Sequence, residues 1–141
     1  RAMTHGRGVD SSALCALCFE DEATAASDEL LQQLEHGNAW APGLLLWEVA
    51  NVLLMAQRRG RLSQAQRVEA LQLIESLGLS LDASAPAVVW HDVIQLADQT
   101  GLTSYNAAYL ELAMRLGTPL ASRDKDLQRC CHQLGVPLLP C

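Results

Sequence analysis

The sequence predicts an α/β protein with a short-stranded parallel sheet and helices on both faces. Short apolar segments alternate with helical segments along the chain, an order that leads to parallel strands joined by crossover helices. Polar residues directly follow several of the predicted strands, at the edge where open α/β sheets bind ligands. With 141 residues, half of them hydrophobic, we expect a single domain over residues 1–141 with a substantial core.

The predicted elements follow from helical periodicity and from local start and stop signals. Residues 1–6, RAMTHG, have no periodicity, and we expect them to be flexible or an addition to the natural chain. Strands are expected over residues 7–9, 39–41, 79–81, 119–121 and 136–139. Helices are expected over residues 13–19, 25–36, 44–59, 63–77, 88–99, 105–116 and 125–134. Thr103 and a Ser63/Gln66 capping box mark helix starts, and Gly117 marks a helix end.

Charge and cysteine content limit the class of protein. The net charge of −6 argues against general affinity for nucleic acid, although nine of the ten basic residues are arginines, several of them clustered. No apolar run reaches the roughly 20 residues of a membrane span, and no signal peptide is evident. Cys15 and Cys18 form a C-x-x-C without a second pair at zinc spacing, so we interpret the five cysteines as core residues of a cytoplasmic protein.

Four polar residues are placed where chemistry is expected. Asp10 and Asp124 follow predicted strands, while Glu48 and Asn106 lie on the apolar stripes of helices. Glu48 shares its stripe with Leu45, Val49 and Val52. A carboxylate there is either paired, hydrogen-bonded or bound to a cation, or else it extends toward solvent from the edge of the stripe. Asp10 has two interpretations, a helix N-cap or a carboxylate directed at a metal ion.

The segments around these residues resemble the motifs of the PIN-domain family. The similarities are V-D-S-S-A-L from Val9, L-L-L-W-E-V-A-N-V-L from Leu44, G-L-T-S-Y-N-A-A-Y-L-E-L-A from Gly101 and G-T-P-L-A-S-R-D-K-D-L from Gly117. They stand in family order, and the overlap covers residues 9–139. The chain is most similar to VapC-type toxins of bacterial toxin–antitoxin pairs.

This resemblance implies a three-layer α/β/α sandwich and a Mg²⁺- or Mn²⁺-dependent ribonuclease. The family's acidic quartet falls on Asp10, Glu48, Asn106 and Asp124, of which Asp10, Glu48 and Asp124 are the implied metal ligands. Supporting roles fall on Ser12, Asn51 and Ser122. Candidates for contact with the RNA backbone are Arg58, Arg59, Arg61, Arg123 and Lys125. An antitoxin partner and a homodimer are implied as well, and the apolar helical residues 44–54 and 68–77 suit such interfaces.

The chain departs from the family at the third acidic position. The family motif reads Y-D-A, whereas residues 105–107 read Y-N-A. Asn106 retains a carbonyl oxygen but lacks the charge, so we expect weaker metal binding and impaired cleavage, whether the change is natural or engineered. The alternative is a PIN-like module that binds RNA or protein without cleaving. A flavodoxin-like nucleotide binder is poorly supported because the chain lacks a glycine-rich phosphate loop.

Overall fold

The computed structural model describes residues 6–141 and forms a three-layer α/β/α fold around a parallel sheet. The expectation for residues 1–6 therefore lies outside the described residues, apart from Gly6. The sheet has five strands in the order β3-β2-β1-β4-β5, and every neighbouring pair is parallel. The strands are β1 (Arg7–Val9), β2 (Ala39–Pro42), β3 (Ser80–Asp82), β4 (Leu120–Ala121) and β5 (Leu138–Leu139). The predicted fold class is confirmed.

Helices connect the strands at nearly the predicted positions. They are α1 (Ser11–Ala16), α2 (Ala25–Glu35), α3 (Leu44–Arg58), α4 (Gln64–Ser76), α5 (Ile94–Thr100), α6 (Ser104–Leu116) and α7 (Lys125–Leu134). Thr24 and Ser63 begin α2 and α4 with capping boxes, and Thr103 caps α6 through the backbone N–H of Asn106. Gly117 ends α6 in the left-handed region, with φ of 67°.

The differences from prediction are local. Helix α1 starts at Ser11, two residues early, because Asp10 caps it, and it ends at Ala16. The predicted helix 88–99 is helical, but its first part, Val88–Val93, has π-helical hydrogen bonding and leads directly into α5. Strand β3 is displaced by one residue and β5 has only two residues.

Strand β1 lies at the centre of the sheet and brings the chain to the candidate site. It pairs with β2 and β4, and α6 packs against β1 and β2. Gly8 permits a close approach, because a Cβ atom there would stand 3.2 Å from Leu120 Cδ1. Val9 is paired with Ala121, so the residues after β1 and β4 emerge side by side at the carboxyl edge.

Burial supports most of the predicted core and corrects one stripe. Leu45 and Val49 are buried, but Val52 is 40% exposed, so the prediction that it shares the inward stripe is wrong. The inward face of α3 continues instead through Leu53 and Ala56, which follow Val49 at helical spacing. All five cysteines are free; three of them, Cys15, Cys130 and Cys131, are buried as expected for core residues. Within residues 6–141, no helix is long and apolar enough to cross a membrane.

Candidate active site at the carboxyl edge of the sheet

Asp10 occupies the centre of the carboxyl edge and is almost completely buried, with 2% exposure. Its Oδ1 accepts hydrogen bonds from the Ala13 backbone N–H at 2.9 Å and from Ser12 Oγ at 2.7 Å, and its Oδ2 accepts a short one from Ser122 Oγ. Burial raises the pKa of Asp10, the negative charge of Asp124 adds to the rise, and the three hydrogen bonds oppose it. The two sequence interpretations are therefore compatible, because Asp10 caps α1 and Ser122 connects it to a second acidic residue, Asp124.

Ser122 and Ser12 connect the ends of β1 and β4. The Asp10 backbone N–H donates to Ala121 O at 3.0 Å, which places Ser122 beside Asp10. Ser122 Oγ accepts from the Asp124 N–H at 3.1 Å, and Ser12 Oγ accepts from the Arg123 N–H at 2.8 Å. Both predicted supporting serines thus hold the turn that carries Asp124.

Asp124 is half-buried and caps α7. Its Oδ1 accepts the Leu127 N–H at 2.9 Å, and its Oδ2 accepts no hydrogen bond from any described residue. Gln128, one turn into α7, donates to Ser122 O at 2.7 Å and fixes the turn from the other side. The cap directs one carboxylate oxygen into the helix and leaves the other available.

Glu48 is held by two hydroxyl groups. Its Oε1 accepts from Tyr109 Oη at 2.6 Å and from Ser11 Oγ at 3.1 Å, whereas Oε2 has no partner in the described part of the chain. Burial and the neighbouring Glu48 carboxylate raise the pKa of Tyr109, so the phenol remains a donor. Glu48 is therefore hydrogen-bonded rather than extended into solvent.

The two predicted amide residues are less tightly held. Asn106 is half-buried at the start of α6, and its backbone N–H bonds to Thr103 Oγ1 at 3.1 Å. Asn51, one turn after Glu48 on α3, is exposed. Neither side-chain amide forms a hydrogen bond with residues 6–141. Their predicted roles stay predictions.

Two of the predicted RNA-binding arginines have intramolecular partners. Arg123 donates to Glu22 O at 2.9 Å and to Cys141 O at 3.0 Å, so it connects the carboxyl edge to the C-terminus. Arg61 forms ion pairs with Asp21 and Glu22 and lies 3.9 Å from the centre of the Phe19 ring. The side chains of Arg58, Arg59 and Lys125 form neither a hydrogen bond nor an ion pair with the described residues and are exposed.

The donor atoms at this edge match those that Mg²⁺ and Mn²⁺ bind. In residues 6–141, no three or more His, Cys, Asp or Glu side chains come close enough together to hold a metal ion. Mg²⁺, however, is commonly bound by one or two carboxylates together with water and substrate phosphates. Asp10 and Asp124 supply such a pair, because Ser122 Oγ bonds both to Asp10 Oδ2 and to the Asp124 backbone N–H. Burial raises the pKa of Asp10 and the charge of Asp124 adds a smaller part, so a bound cation would favour the ionised form. The residues therefore fit a hard divalent ion.

Comparison with known proteins identifies the family. The family model described as PIN domain matches residues 9–133. The chain belongs to the PIN-domain family. Its similarity extends to Ribonuclease VapC3 of Pyrobaculum aerophilum, which is 31% identical over 129 residues, covering 92% of this chain and 97% of that protein. This makes it a PIN domain of the VapC type.

A solved structure agrees with this assignment. The crystal structure of PAE2754 from Pyrobaculum aerophilum superposes with a TM-score of 0.66 at 26% sequence identity, covering 88% of this chain and 84% of that one. The three-layer α/β/α architecture expected of a PIN domain is therefore present.

Sequence reasoning missed two partners in this PIN domain. The sequence pattern puts Tyr109 on the core stripe of α6, but a buried tyrosine hydroxyl needs a hydrogen-bond partner, and Glu48 on another helix provides it. Ser11 carries no signal of its own, because it lies between the predicted residues Asp10 and Ser12. The sequence does carry a signal for the Tyr109 contact, because a tyrosine on the buried stripe of a helix implies a polar partner for its hydroxyl group.

Proposed function

We propose that this PIN domain is an endoribonuclease of the VapC type that hydrolyses RNA phosphodiester bonds with Mg²⁺ or Mn²⁺. The observation that carries the proposal is the pair of carboxylates, Asp10 and Asp124, at the carboxyl edge of β1 and β4 in a chain similar over most of its length to a ribonuclease. Paired carboxylates of this kind recruit a divalent cation to a phosphodiester.

The proposed roles follow from the contacts of each residue. Asp10 and Asp124 hold the cation, directly or through water, and the serine hydroxyls keep Asp10 in a fixed orientation. Glu48 offers the cation its Oε2, which accepts no hydrogen bond from residues 6–141, while Tyr109 and Ser11 hold Oε1. When bound, the cation supplies an activated water and neutralises charge on the scissile phosphate.

Asn106 is proposed to limit this activity. An amide can accept a hydrogen bond or ligate weakly, but it has no negative charge and cannot act as a base. The side chain at the start of α6 therefore adds nothing to the negative potential that attracts a cation. We expect residual cleavage at high metal concentration at most.

The proposed protein partners are an antitoxin and a second copy of the chain. Apolar side chains are exposed on α3, including Leu46 at 55% and Val52, and Val68 is exposed on α4. Exposed apolar side chains on two helices that pack against each other are suited to protein contacts. The mass of the purified chain in solution, measured by light scattering, tests the dimer.

Cleavage of RNA by this chain and by its Asn106→Asp variant tests the enzymatic proposal. We expect the variant to cleave at least about tenfold faster in Mg²⁺ or Mn²⁺ because it regains a unit charge near the cation, and both proteins to be inactive in EDTA. An Asp10→Asn change in the same background should abolish the gain. Circular dichroism verifies folding in each case. If the folded Asn106→Asp protein cleaves no RNA at any metal concentration, the proposal fails and a binding module is the better description.

A further inference from the structure

A neutral pocket of about 430 Å³, within the usual size range for small-ligand sites, lies at the carboxyl edge of the sheet, beside the first turns of the helices that carry Glu48 and Asn106. It is bordered by the end of β2, the loop after β3, the π-helical segment Val88–Val93 and the first turns of α3 and α6. The residues that line it include no charged side chain. Such a pocket has nothing to form an ion pair with phosphate, but it suits a flat uncharged group.

Two exposed aromatic residues line this pocket, and each directly precedes a residue of the candidate active site. Trp47 is 80% exposed and immediately precedes Glu48, and Tyr105 is 62% exposed and immediately precedes Asn106. Trp90 is exposed as well, so exposure alone does not mark a site, but Trp47 and Tyr105 line the same pocket and offer their ring faces to one ligand. Aromatic faces are the surfaces on which unpaired bases stack.

Hydrogen bonds fix the loop after β3, which contributes Ala83 and Ser84 to the pocket. Ser84 adopts a left-handed backbone with φ of 49°, and Asp82 Oδ2 accepts from both its N–H, at 3.2 Å, and its Oγ, at 3.0 Å. Arg115 donates two hydrogen bonds to the Asp82 carboxylate, of 3.2 and 3.0 Å, and a third to Glu111 through its Nε. Since Ser84 Oγ donates to Asp82, it remains free to accept from an N–H group in the pocket.

The π-helical segment contributes apolar side chains to the lining of the pocket. Val89 and Val93 from this segment line the pocket together with Ala108 of α6. π-helical turns are rare and frequently lie at functional sites. A preformed cleft with aromatic, apolar and hydroxyl surfaces results.

We propose that this pocket binds one nucleobase of single-stranded RNA, packed against the rings of both Trp47 and Tyr105, next to the phosphodiester at the carboxyl edge. The proposal deepens the proposed ribonuclease function and rests on it for the identity of the polymer. The base enters the neutral pocket, and the neighbouring phosphate lies toward the carboxylates and their cation. This subsite then selects single strands, because a base in a duplex is not free to enter.

The test is the affinity of a labelled ten-nucleotide single-stranded RNA, measured by fluorescence anisotropy in EDTA so that no cleavage occurs. Trp47→Ala and Tyr105→Ala should each weaken binding about tenfold, the usual effect of losing one stacked base, and Trp47→Phe should retain most of it. Trp90→Ala is the matched control, because Trp90 is an aromatic residue of similar exposure, 67%, that does not line the pocket. An abasic oligonucleotide should bind the parent chain and Trp47→Ala equally.

Equal RNA affinity of the folded parent, Trp47→Ala and Tyr105→Ala proteins would overturn the subsite. The subsite would also be overturned if Trp47→Ala changed the mass of the protein in analytical ultracentrifugation but left its RNA affinity unchanged. That result would show that a second copy of the chain covers the pocket. Failure of the ribonuclease proposal would be seen in a different experiment, as the absence of metal-dependent cleavage by the Asn106→Asp protein. Cleavage that is indifferent to Trp47→Ala would retain the nuclease and remove only the subsite.

Discussion

At the scale of single residues, the carboxylates proposed to hold the metal are also helix caps. Asp10 caps α1 and Asp124 caps α7, each through one oxygen that accepts a backbone N–H. A cap fixes the position of the carboxyl group relative to the helix axis, and the helix N-terminus in turn favours negative charge. Substitution by alanine therefore removes a structural contact together with a charge, and the two effects must be separated.

Two substitutions at Asp124 separate them. Asp124→Asn should leave the free energy of unfolding within about 0.5 kcal/mol of the parent, because asparagine caps helices as well as aspartate does, whereas Asp124→Ala should lose about 1 kcal/mol. In the Asn106→Asp background, both changes should reduce cleavage strongly, since either removes the charge. Urea denaturation and RNA cleavage measure the two quantities. An Asp124→Asn protein that cleaves at the parent rate would exclude Asp124 from the metal site.

Residue-level prediction succeeded where the cause is local. Asp10 as a cap follows from its position after a strand and before a helical segment, and Glu48 as a hydrogen-bonded carboxylate follows from its apolar stripe. The contact of Glu48 with Tyr109 and that of Arg123 with Glu22 could not be predicted, because they join positions 61 and 101 residues apart in sequence. The burial of Val52 could not be predicted from the helical pattern, because a period of 3.6 residues places both Val52 and Leu53 near the stripe of Leu45 and Val49.

At the scale of elements, helix bounds were predictable and strand bounds less so. Capping boxes and left-handed glycines mark helix ends within one or two residues, as in α4 and α6. Strands of two or three residues have too little periodicity to fix their register, so β3 and β5 differed from expectation. The π-helical start of Val88–Val93 has no sequence pattern that separates it from an α-helix.

The buried thiol of Cys15 in α1 should make the free energy of unfolding decrease at alkaline pH. Burial, with a smaller contribution from neighbouring acidic groups such as Cys18, raises the pKa of Cys15 from 9.0 to about 12. Above pH 9 the unfolded chain loses this proton while the folded chain retains it, so the contribution is complete below pH 9 and decreases as the pH rises toward 12. We expect a loss approaching about 1.4 kcal/mol per pH unit in that window from this thiol.

Cys15→Ala removes this contribution. Its free energy of unfolding should therefore decline less steeply than that of the parent between about pH 9 and pH 10.5, although the substitution lowers stability at neutral pH by loss of packing. Denaturant titrations at a series of pH values give both curves. Parallel curves across the alkaline range would show that Cys15 ionises equally in the folded and unfolded chains.

At the scale of the whole molecule, an acidic chain is proposed to bind a polyanion. The net charge of −6 opposes general affinity for RNA, and several arginines are neutralised by neighbours, including Arg61 by Asp21 and Glu22 and Arg115 by Asp82 and Glu111. Arg123 is occupied with Glu22 and the C-terminal residue. The exposed Arg58 and Arg59 at the end of α3, together with the exposed Lys125, remain as charges able to contact phosphate. We therefore expect binding through a few local contacts rather than through a broad basic surface.

The salt dependence of RNA binding distinguishes these arginines. Each phosphate neutralised by a basic residue contributes about −0.7 to the slope of log affinity against log salt for a single strand. The double change Arg58→Ala and Arg59→Ala should therefore make the slope shallower by about 0.7 for each phosphate that these arginines neutralise, as measured in EDTA with a single-stranded oligonucleotide. Arg123→Ala should leave the slope unchanged and instead lower the free energy of unfolding, because its guanidinium connects residues far apart in the chain. If Arg123→Ala made the slope shallower while the Arg58→Ala/Arg59→Ala protein did not, the Arg123 side chain would have to leave Glu22 and Cys141 when RNA binds. The phosphate backbone would then be bound at the carboxyl edge itself.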